Sequence, residues 1–163
     1  QTALALHHLI STQFRGDELT LIGFGLYAQT MTIEELTALP PIQEKGTNLQ
    51  HALLLADQFF ARHVNHDPTL LVVTDGEPTS IITDWGQPYF NWPTDRITLA
   101  KTVQALDQVT KRGARPTFFR LGEDPGLVNL LNAMANRSGG RVVAPDLGEL
   151  GGAVVGEYLR GWF

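Results

Sequence analysis

The chain has 163 residues, enough for one domain with a sizeable core, and its apolar content of 43% and charged content of 18% are those of an ordinary globular protein. The net charge of −5 argues against nucleic acid or an anionic membrane as the main partner, because both reward clustered Lys and Arg. The absence of cysteine excludes disulfides, thiolate metal sites and cysteine nucleophiles. No apolar run reaches the roughly 18 residues of a membrane span and no signal peptide is visible, so we expect a cytoplasmic protein.

Hydrophobic periodicity predicts an alternation of helices and strands along the chain. The predicted elements up to residue 74 are a helix over 2–14, a strand over 19–25, an edge strand over 28–33, a helical turn over 34–39 capped by Thr32, a long helix opened by Gly46, Thr47 and Asn48, and a strand ending at 74. After it come a loop over 77–95, a helix over 96–113 with Leu99, Val103 and Leu106 inward, and a strand over 115–121. A helix then begins with Asp124 as its cap and Pro125 as its first residue and ends at Gly139 and Gly140, followed by a strand over 141–144 and a helix after Asp146. This order predicts one α/β domain over 1–163. We expect a three-layer, Rossmann-like sandwich with a mostly parallel sheet and helices on both faces.

The stretch 70–79, LLVVTDGEPT, ends the most strongly predicted strand. Its unbroken apolar run is typical of a strand buried on both faces of a parallel sheet. Ligands bind such sheets at the carboxyl ends of the strands, where Asp75 lies, and Gly76 beside it lets the backbone turn sharply. A carboxylate at that position is well placed to bind a hydrated divalent cation.

Two stretches together resemble a von Willebrand factor type A domain. They are Gly46-Thr47-Asn48-Leu49 at the head of an amphipathic helix and the strand end 73–78, and their order and spacing match that family over essentially the whole chain. The resemblance implies a metal-ion-dependent adhesion site, in which hydroxyl and carboxylate oxygens hold Mg²⁺ (or Mn²⁺) and a partner's carboxylate completes the shell. On that pattern Thr47 and Asp75 match the family's metal-binding Thr and Asp.

The family's Asp-x-Ser-x-Ser motif, which follows its first strand, has no counterpart in this sequence. The serines, at positions 11, 80 and 138, cannot form it. Because the chain opens inside the predicted first helix, we expect a truncated domain whose first central strand and metal-binding loop lie upstream of Gln1. The metal site would then be incomplete, and two strand edges would be unpaired at a cost of about 1–3 kcal/mol for each unmet backbone group.

The predicted loop 77–95 is a second functional candidate, because it leaves the same end of the sheet as Asp75. We expect a partner-binding rim, since aromatic residues at a rim favour protein contacts. The predicted rim residues are Glu77, Trp85, Tyr89 and Trp92. The alternative is that the two tryptophans fold inward and cover the sheet edge.

The resemblance implies a non-enzymatic protein-binding module of the intracellular bacterial type, similar to CoxE-like and magnesium-chelatase-like proteins, whose partners are often AAA+ ATPases. One alternative is a metal-dependent hydrolase that uses Glu77 or His51 as its base. Another is a scaffold domain without metal. Asp75 and Thr47 also have ordinary explanations, as a turn cap and a helix N-cap.

Overall fold

The computed structural model describes residues 18–32, 34–35, 46–91, 94–146, 149 and 152–153. Its elements are β1 (Leu21–Phe24), β2 (Ala28–Met31), α1 (Leu49–Ala61), β3 (Leu71–Thr74), β4 (Ser80–Ile82), β5 (Pro88–Phe90), α2 (Arg96–Lys111), β6 (Thr117–Arg120), α3 (Pro125–Ser138) and β7 (Arg141–Val143). The helix predicted over 2–14 lies outside the described residues, as does most of the helix predicted after Asp146.

A parallel sheet of strand order β3-β6-β7 forms the centre of the described fold. Helix α2 connects β3 to β6 and helix α3 connects β6 to β7, so each crossover is helical. Parallel strands need such long connections, because a tight turn can only reverse the chain. The predicted α/β architecture is confirmed.

The core lies on both faces of this sheet. Val72 and Phe118 face helices α1, α2 and α3, whereas Val73 and Phe119 point to the opposite face, where Ala153 also packs. Successive side chains of a strand alternate between faces, and Phe118 and Phe119 are both 0% exposed. The central strand is therefore covered on two sides, as a three-layer sandwich requires.

Strands β1 and β2 form a separate antiparallel pair. Ile22 and Phe24 of β1 pack on the same core as Val72 of β3, yet β1 and β3 are not hydrogen-bonded to each other. Within the described residues, each of these two strands pairs on one side only.

The prediction of a structureless loop over 77–95 is wrong, because the segment contains the β4–β5 hairpin. The Thr83 N–H donates to the Gln87 carbonyl at 2.9 Å, and the Gly86 N–H donates to the Thr83 carbonyl at 2.9 Å. Gly86 has a φ of 80°. A three-residue hairpin loop that ends in a left-handed glycine is a common turn, and Asp84-Trp85-Gly86 was its sequence signal.

The buried stripe of α2 also differs from the prediction. Leu106 is buried as expected, but Leu99 and Val103 are only half-buried, and Thr98 and Thr102 take the inner positions. The Thr102 hydroxyl donates to the Thr98 carbonyl at 2.7 Å. A threonine bonded back to its own helix satisfies its hydroxyl and can pack like a valine, which a count of apolar residues misses.

The predicted helix starts at Asp124 and Thr32 and the predicted helix end at Gly139 are confirmed. The Asp124 carboxylate accepts the Leu127 N–H at 3.0 Å, Pro125 is the first residue of α3, and Gly139 ends this helix at a φ of 72°. Thr32 accepts the Glu35 N–H at 3.1 Å, and Glu35 in return accepts the Thr32 N–H at 3.1 Å. This reciprocal capping box is the helix start predicted at Thr32.

Candidate metal-binding and partner-binding site

The turn after β3 is closed by Thr74. Its buried hydroxyl donates to the Gly76 carbonyl at 3.1 Å and lies 3.4 Å from the Gly76 nitrogen, whose N–H it accepts. The Asp75 side chain is exposed, and no described residue donates a hydrogen bond to its carboxylate. The interpretation of Asp75 as the turn cap is therefore wrong. The Thr74 hydroxyl caps the turn, and the Asp75 carboxylate is left to bind a ligand.

Thr47 is held through its backbone by the segment that leads into the hairpin. The Thr47 N–H donates to Thr79 Oγ1 at 3.0 Å, and its carbonyl accepts the N–H groups of Thr79 and Ser80 at 3.0 and 3.2 Å. Gly46 before it has a φ of 146°, and a Cβ there would lie 3.0 Å from Leu26. Both the N–H and the carbonyl of Thr47 are thus hydrogen-bonded, so the backbone from which its side chain projects is held in place.

Asn48, not Thr47, is the N-cap of α1. Its carboxamide oxygen accepts the His51 N–H at 2.9 Å, and its Nδ2 donates to the Leu26 carbonyl at 3.0 Å. Its backbone N–H donates to the Gly25 carbonyl at 2.7 Å, and the residue is 0% exposed. The N-cap explanation of Thr47 is wrong. Asparagine is the better cap of the two, so the sequence carried this signal.

The structure brings Thr47 and the Asp75 turn together. Thr47 Oγ1 lies 3.6 Å from the position that a Cβ would take at Gly76. The Thr47 hydroxyl lies beside the turn that carries Asp75, and a hydroxyl and a carboxylate are hard oxygen donors of the kind that suits Mg²⁺, because this ion keeps several waters and needs few protein ligands. Among the described residues, no group of three or more His, Cys, Asp or Glu side chains is arranged to hold a metal ion. The pair therefore fits the ion as part of a shell that needs further donors.

Comparison with known proteins identifies the family. The family described as "Rv0959-like protein, vWA domain" matches residues 1–159. The chain belongs to this von Willebrand factor type A family. It is 51% identical over 164 aligned residues to the uncharacterized proteins Rv0959 of Mycobacterium tuberculosis H37Rv and Mb0984 of Mycobacterium bovis, an alignment that takes in 98% of this chain. The chain spans only 24% of the length of these relatives.

The β4–β5 hairpin of this von Willebrand A domain is attached to the start of α1, next to Thr47. Ser80 Oγ donates to the Leu26 carbonyl at 2.5 Å, and the Ile82 N–H donates to Oε1 of the buried Gln50 at 2.9 Å. These bonds satisfy the outer edge of β4. The hairpin is consequently fixed relative to the Thr47–Asp75 pair.

Glu77 lies half-buried against the first turn of α3. One carboxylate oxygen is 2.7 Å from the position that a Cβ would take at Gly126, so only glycine leaves room for it. The N-terminus of a helix carries a partial positive charge that stabilises a carboxylate. Glu77 is therefore directed towards α3, a position that its place in the sequence did not predict.

The predicted rim residues have different surroundings. Trp85 lies at the hairpin tip and is 89% exposed, so the alternative in which it folds inward is wrong. The Tyr89 hydroxyl donates to Asp95 Oδ2 at 2.8 Å. Trp92 lies outside the described residues. Phe90, opposite Ser80, and Tyr27, next to the Leu26 carbonyl that Ser80 contacts, are exposed aromatics close to Thr47 that the sequence analysis left out of the rim.

Asp95 anchors the base of the hairpin to α2. Its carboxylate accepts hydrogen bonds from the Thr98 N–H at 2.8 Å, the Tyr89 hydroxyl at 2.8 Å and Asn91 Nδ2 at 2.9 Å. These bonds, the one from the Thr98 backbone first, hold the pKa of Asp95 well below its usual value, and the pKa of Tyr89 is raised by the same contact. Asp95 thus has a structural role in the rim.

His51 has a packing role beside the site. Its Nδ1 accepts the Ala28 N–H at 2.8 Å, which requires that nitrogen to be unprotonated. Burial lowers the pKa of His51 and favours the same neutral state. The ring therefore ties β2 to α1.

In the part of the chain that the structure describes, no helix combines the length and the apolar character that a membrane crossing demands.

Proposed function

We propose that this von Willebrand A domain is a protein-binding module in which Thr47 and Asp75 contribute to a Mg²⁺ (or Mn²⁺) site that contacts an acidic residue of a partner protein. The proposal rests on the position of Thr47 Oγ1 beside the Asp75–Gly76 turn. This oxygen lies 3.6 Å from the position that a Cβ would take at Gly76. It is supported by the Asp75 carboxylate, which no described residue engages. When bound, the ion supplies an electrophilic position for a carboxylate oxygen of the partner.

The residues of this chain contribute rigidity to that site. Thr79 and Ser80 fix the backbone of Thr47, and Thr74 fixes the turn that carries Asp75. Fixed donors lower the entropy that binding costs, because fewer rotamers are lost. The remaining donors are proposed to come from a segment that pairs between β1 and β3, whose carboxyl end would lie beside Thr47.

We propose binding rather than catalysis, because the two side chains that a hydrolase could use as a base are directed towards other elements of the fold. Glu77 packs on α3 at Gly126, and His51 uses Nδ1 to accept the Ala28 N–H. A general base must instead reach the proton it removes. The proposed partner is an AAA+ ATPase and the proposed location is the cytoplasm, both of which rest on the resemblance to the intracellular members of the family.

The test is a calorimetric titration of the natural full-length protein with MgCl₂ and with MnCl₂. We expect saturable binding that Asp75→Asn abolishes and Thr47→Val weakens at least tenfold, because each change removes an oxygen donor. Asp67→Asn is the matched control, since Asp67 is an exposed carboxylate in the turn after α1. Equal metal binding by the Asp75 and Asp67 variants would overturn the proposal.

A further inference from the structure

The segment between β3 and α2 is rich in acidic and aromatic residues and has no basic ones. Residues 75–95 contain four carboxylates and no Lys or Arg, together with four aromatic residues. Trp85, Phe90 and Tyr89 are 89%, 41% and 36% exposed, and Tyr27 on the neighbouring loop is 49% exposed. We call Tyr27, Asp84, Trp85, Tyr89 and Phe90 the hairpin surface. Successive side chains of β5 alternate between faces, so Tyr89 and Phe90 lie on opposite sides of the hairpin, and Trp85 at the tip is the most exposed of these rings. Aromatic side chains are enriched at protein interfaces.

The hairpin surface presents side chains rather than a backbone edge. Hydrogen bonds join Thr83 to Gln87 and Asn91 to Thr79, so the alternating ladder turns the backbone groups of Pro88 and Phe90 outward. Proline has no N–H, which leaves the Phe90 N–H as the only outward donor that β5 offers. A short edge strand that contains proline, as β5 does, resists pairing with a further strand. A partner is therefore recognised through the rings and carboxylates.

We propose that the hairpin surface binds an arginine-bearing segment of the partner protein. A guanidinium stacks on an aromatic face and pairs with a carboxylate at the same time, whereas the more strongly hydrated ammonium of lysine does so less well. At the tip, Asp84 and Trp85 are adjacent and both exposed. The Asp95 carboxylate already accepts three hydrogen bonds, so Asp84 is the carboxylate that remains for the guanidinium.

The tip of this surface, Asp84 and Trp85, lies away from the metal site, whereas Phe90 lies opposite Ser80 and therefore close to Thr47. Ser80 lies beside Thr47, and Trp85 follows five residues later, which places the tip roughly 15 Å further along the hairpin. The inference rests on the proposed protein-binding role but not on the metal ion. An arginine contact at the hairpin tip would therefore bind without Mg²⁺ and weaken with salt, because exposed charge pairs are screened.

The test is fluorescence anisotropy of the natural full-length protein with a fluorescein-labelled peptide of four Gly-Ser-Arg repeats. Matched peptides carry lysine or the neutral isostere citrulline in place of arginine. We expect binding of the arginine peptide, weaker binding of the lysine peptide and loss with citrulline. Trp85→Ala and Asp84→Asn should each weaken binding about twofold to fivefold. Val64→Ala, which removes a 75% exposed side chain at the far end of α1, should change nothing.

Two further arms distinguish the two proposals. Peptide binding should persist in EDTA, and it should persist in the Asp75→Asn variant. Equal affinity for the arginine and citrulline peptides, or binding unchanged in both hairpin variants, would overturn this inference while leaving the metal titration untouched. Peptide binding that requires Mg²⁺ would assign the contact to the Asp75 site and would overturn it as well.

Discussion

Strands β6 and β3 lie side by side in one sheet and have the same length, but their surroundings differ. Strand β6 is paired along both edges and buries Phe118 and Phe119 on opposite faces. Within the described residues, β3 is paired along one edge, half of its side chains are only partly buried, and the exposed Asp75 follows its last residue. Strand β6 therefore contributes stability, whereas β3 and the segments beside it carry the candidate site residues.

The largest expected effect on stability comes from a substitution in the core of β6. Phe118→Ala should lower the free energy of unfolding by about 3–5 kcal/mol, because it removes a fully buried ring and leaves a cavity. Trp85→Ala removes an even larger side chain but should change stability by no more than about 0.5 kcal/mol, because that ring is 89% exposed. Urea denaturation of both variants measures the difference, and similar midpoints would contradict it.

An intermediate effect on stability is expected at Asn48, the N-cap of α1 and the neighbour of Thr47. Asn48→Ala removes the cap of α1 and leaves the half-buried Leu26 carbonyl with one donor fewer, so we expect a loss of about 2–3 kcal/mol. Asn48→Ser keeps a cap acceptor and loses the Nδ2 donor without burying a charge. It should therefore lie between the wild type and the alanine variant.

The same pair of variants tests whether Asn48 positions Thr47. Under folding conditions, Asn48→Ala should weaken Mg²⁺ binding without touching an oxygen donor, since the start of α1 carries Thr47. Calorimetry and urea denaturation on the same samples separate the two effects. Metal affinity that stays at the wild-type value in a folded Asn48→Ala protein would show that Thr47 is positioned by Thr79 and Ser80 alone.

Local signals were sufficient to predict most of the fold. The strand at 71–74, the Asp124 cap with Pro125 and the Gly139 stop were all predicted, because apolar runs and caps act over a few residues. The hairpin at 80–90 was missed although Asp84-Trp85-Gly86 is a local signal for its turn. Its bonds to Thr47 and Gln50, about 32 positions earlier in the chain, could not be predicted, because no local pattern reports such contacts.

For the candidate site, the proximity of its two segments was predicted, whereas their role in metal binding stays a prediction. The pairing of Thr47 with Asp75 followed from a family pattern, and the structure brings these two segments together. Neither the closing of the turn by Thr74 nor the packing of Glu77 on Gly126 was predicted, because each depends on side-chain geometry across different elements. The exposed Tyr27 and Phe90 were overlooked because their positions next to Ser80 are set by tertiary contacts.

The smallest expected effect is the pH dependence of the link between β2 and α1. The folded state lowers the pKa of His51 below its ordinary 6.5, so it favours the neutral ring. The contribution of this ring to stability is then present above pH 6.5 and is lost as the pH falls through the lower pKa of the folded protein. The loss should be about 1 kcal/mol, the net value of the hydrogen bond from Ala28 to Nδ1.

Urea denaturation at pH 7.5 and pH 5 measures this effect in the wild type and in His51→Phe. The phenylalanine ring has no titrating nitrogen, so the variant should be less stable at pH 7.5 and should lose less stability than the wild type on acidification. His66→Phe is the matched control, because it replaces an exposed histidine outside this link. If His51→Phe and the wild type lose the same stability between the two pH values, the neutral ring is not what joins β2 to α1, and the loop next to Thr47 is held by Asn48 and Ser80 instead.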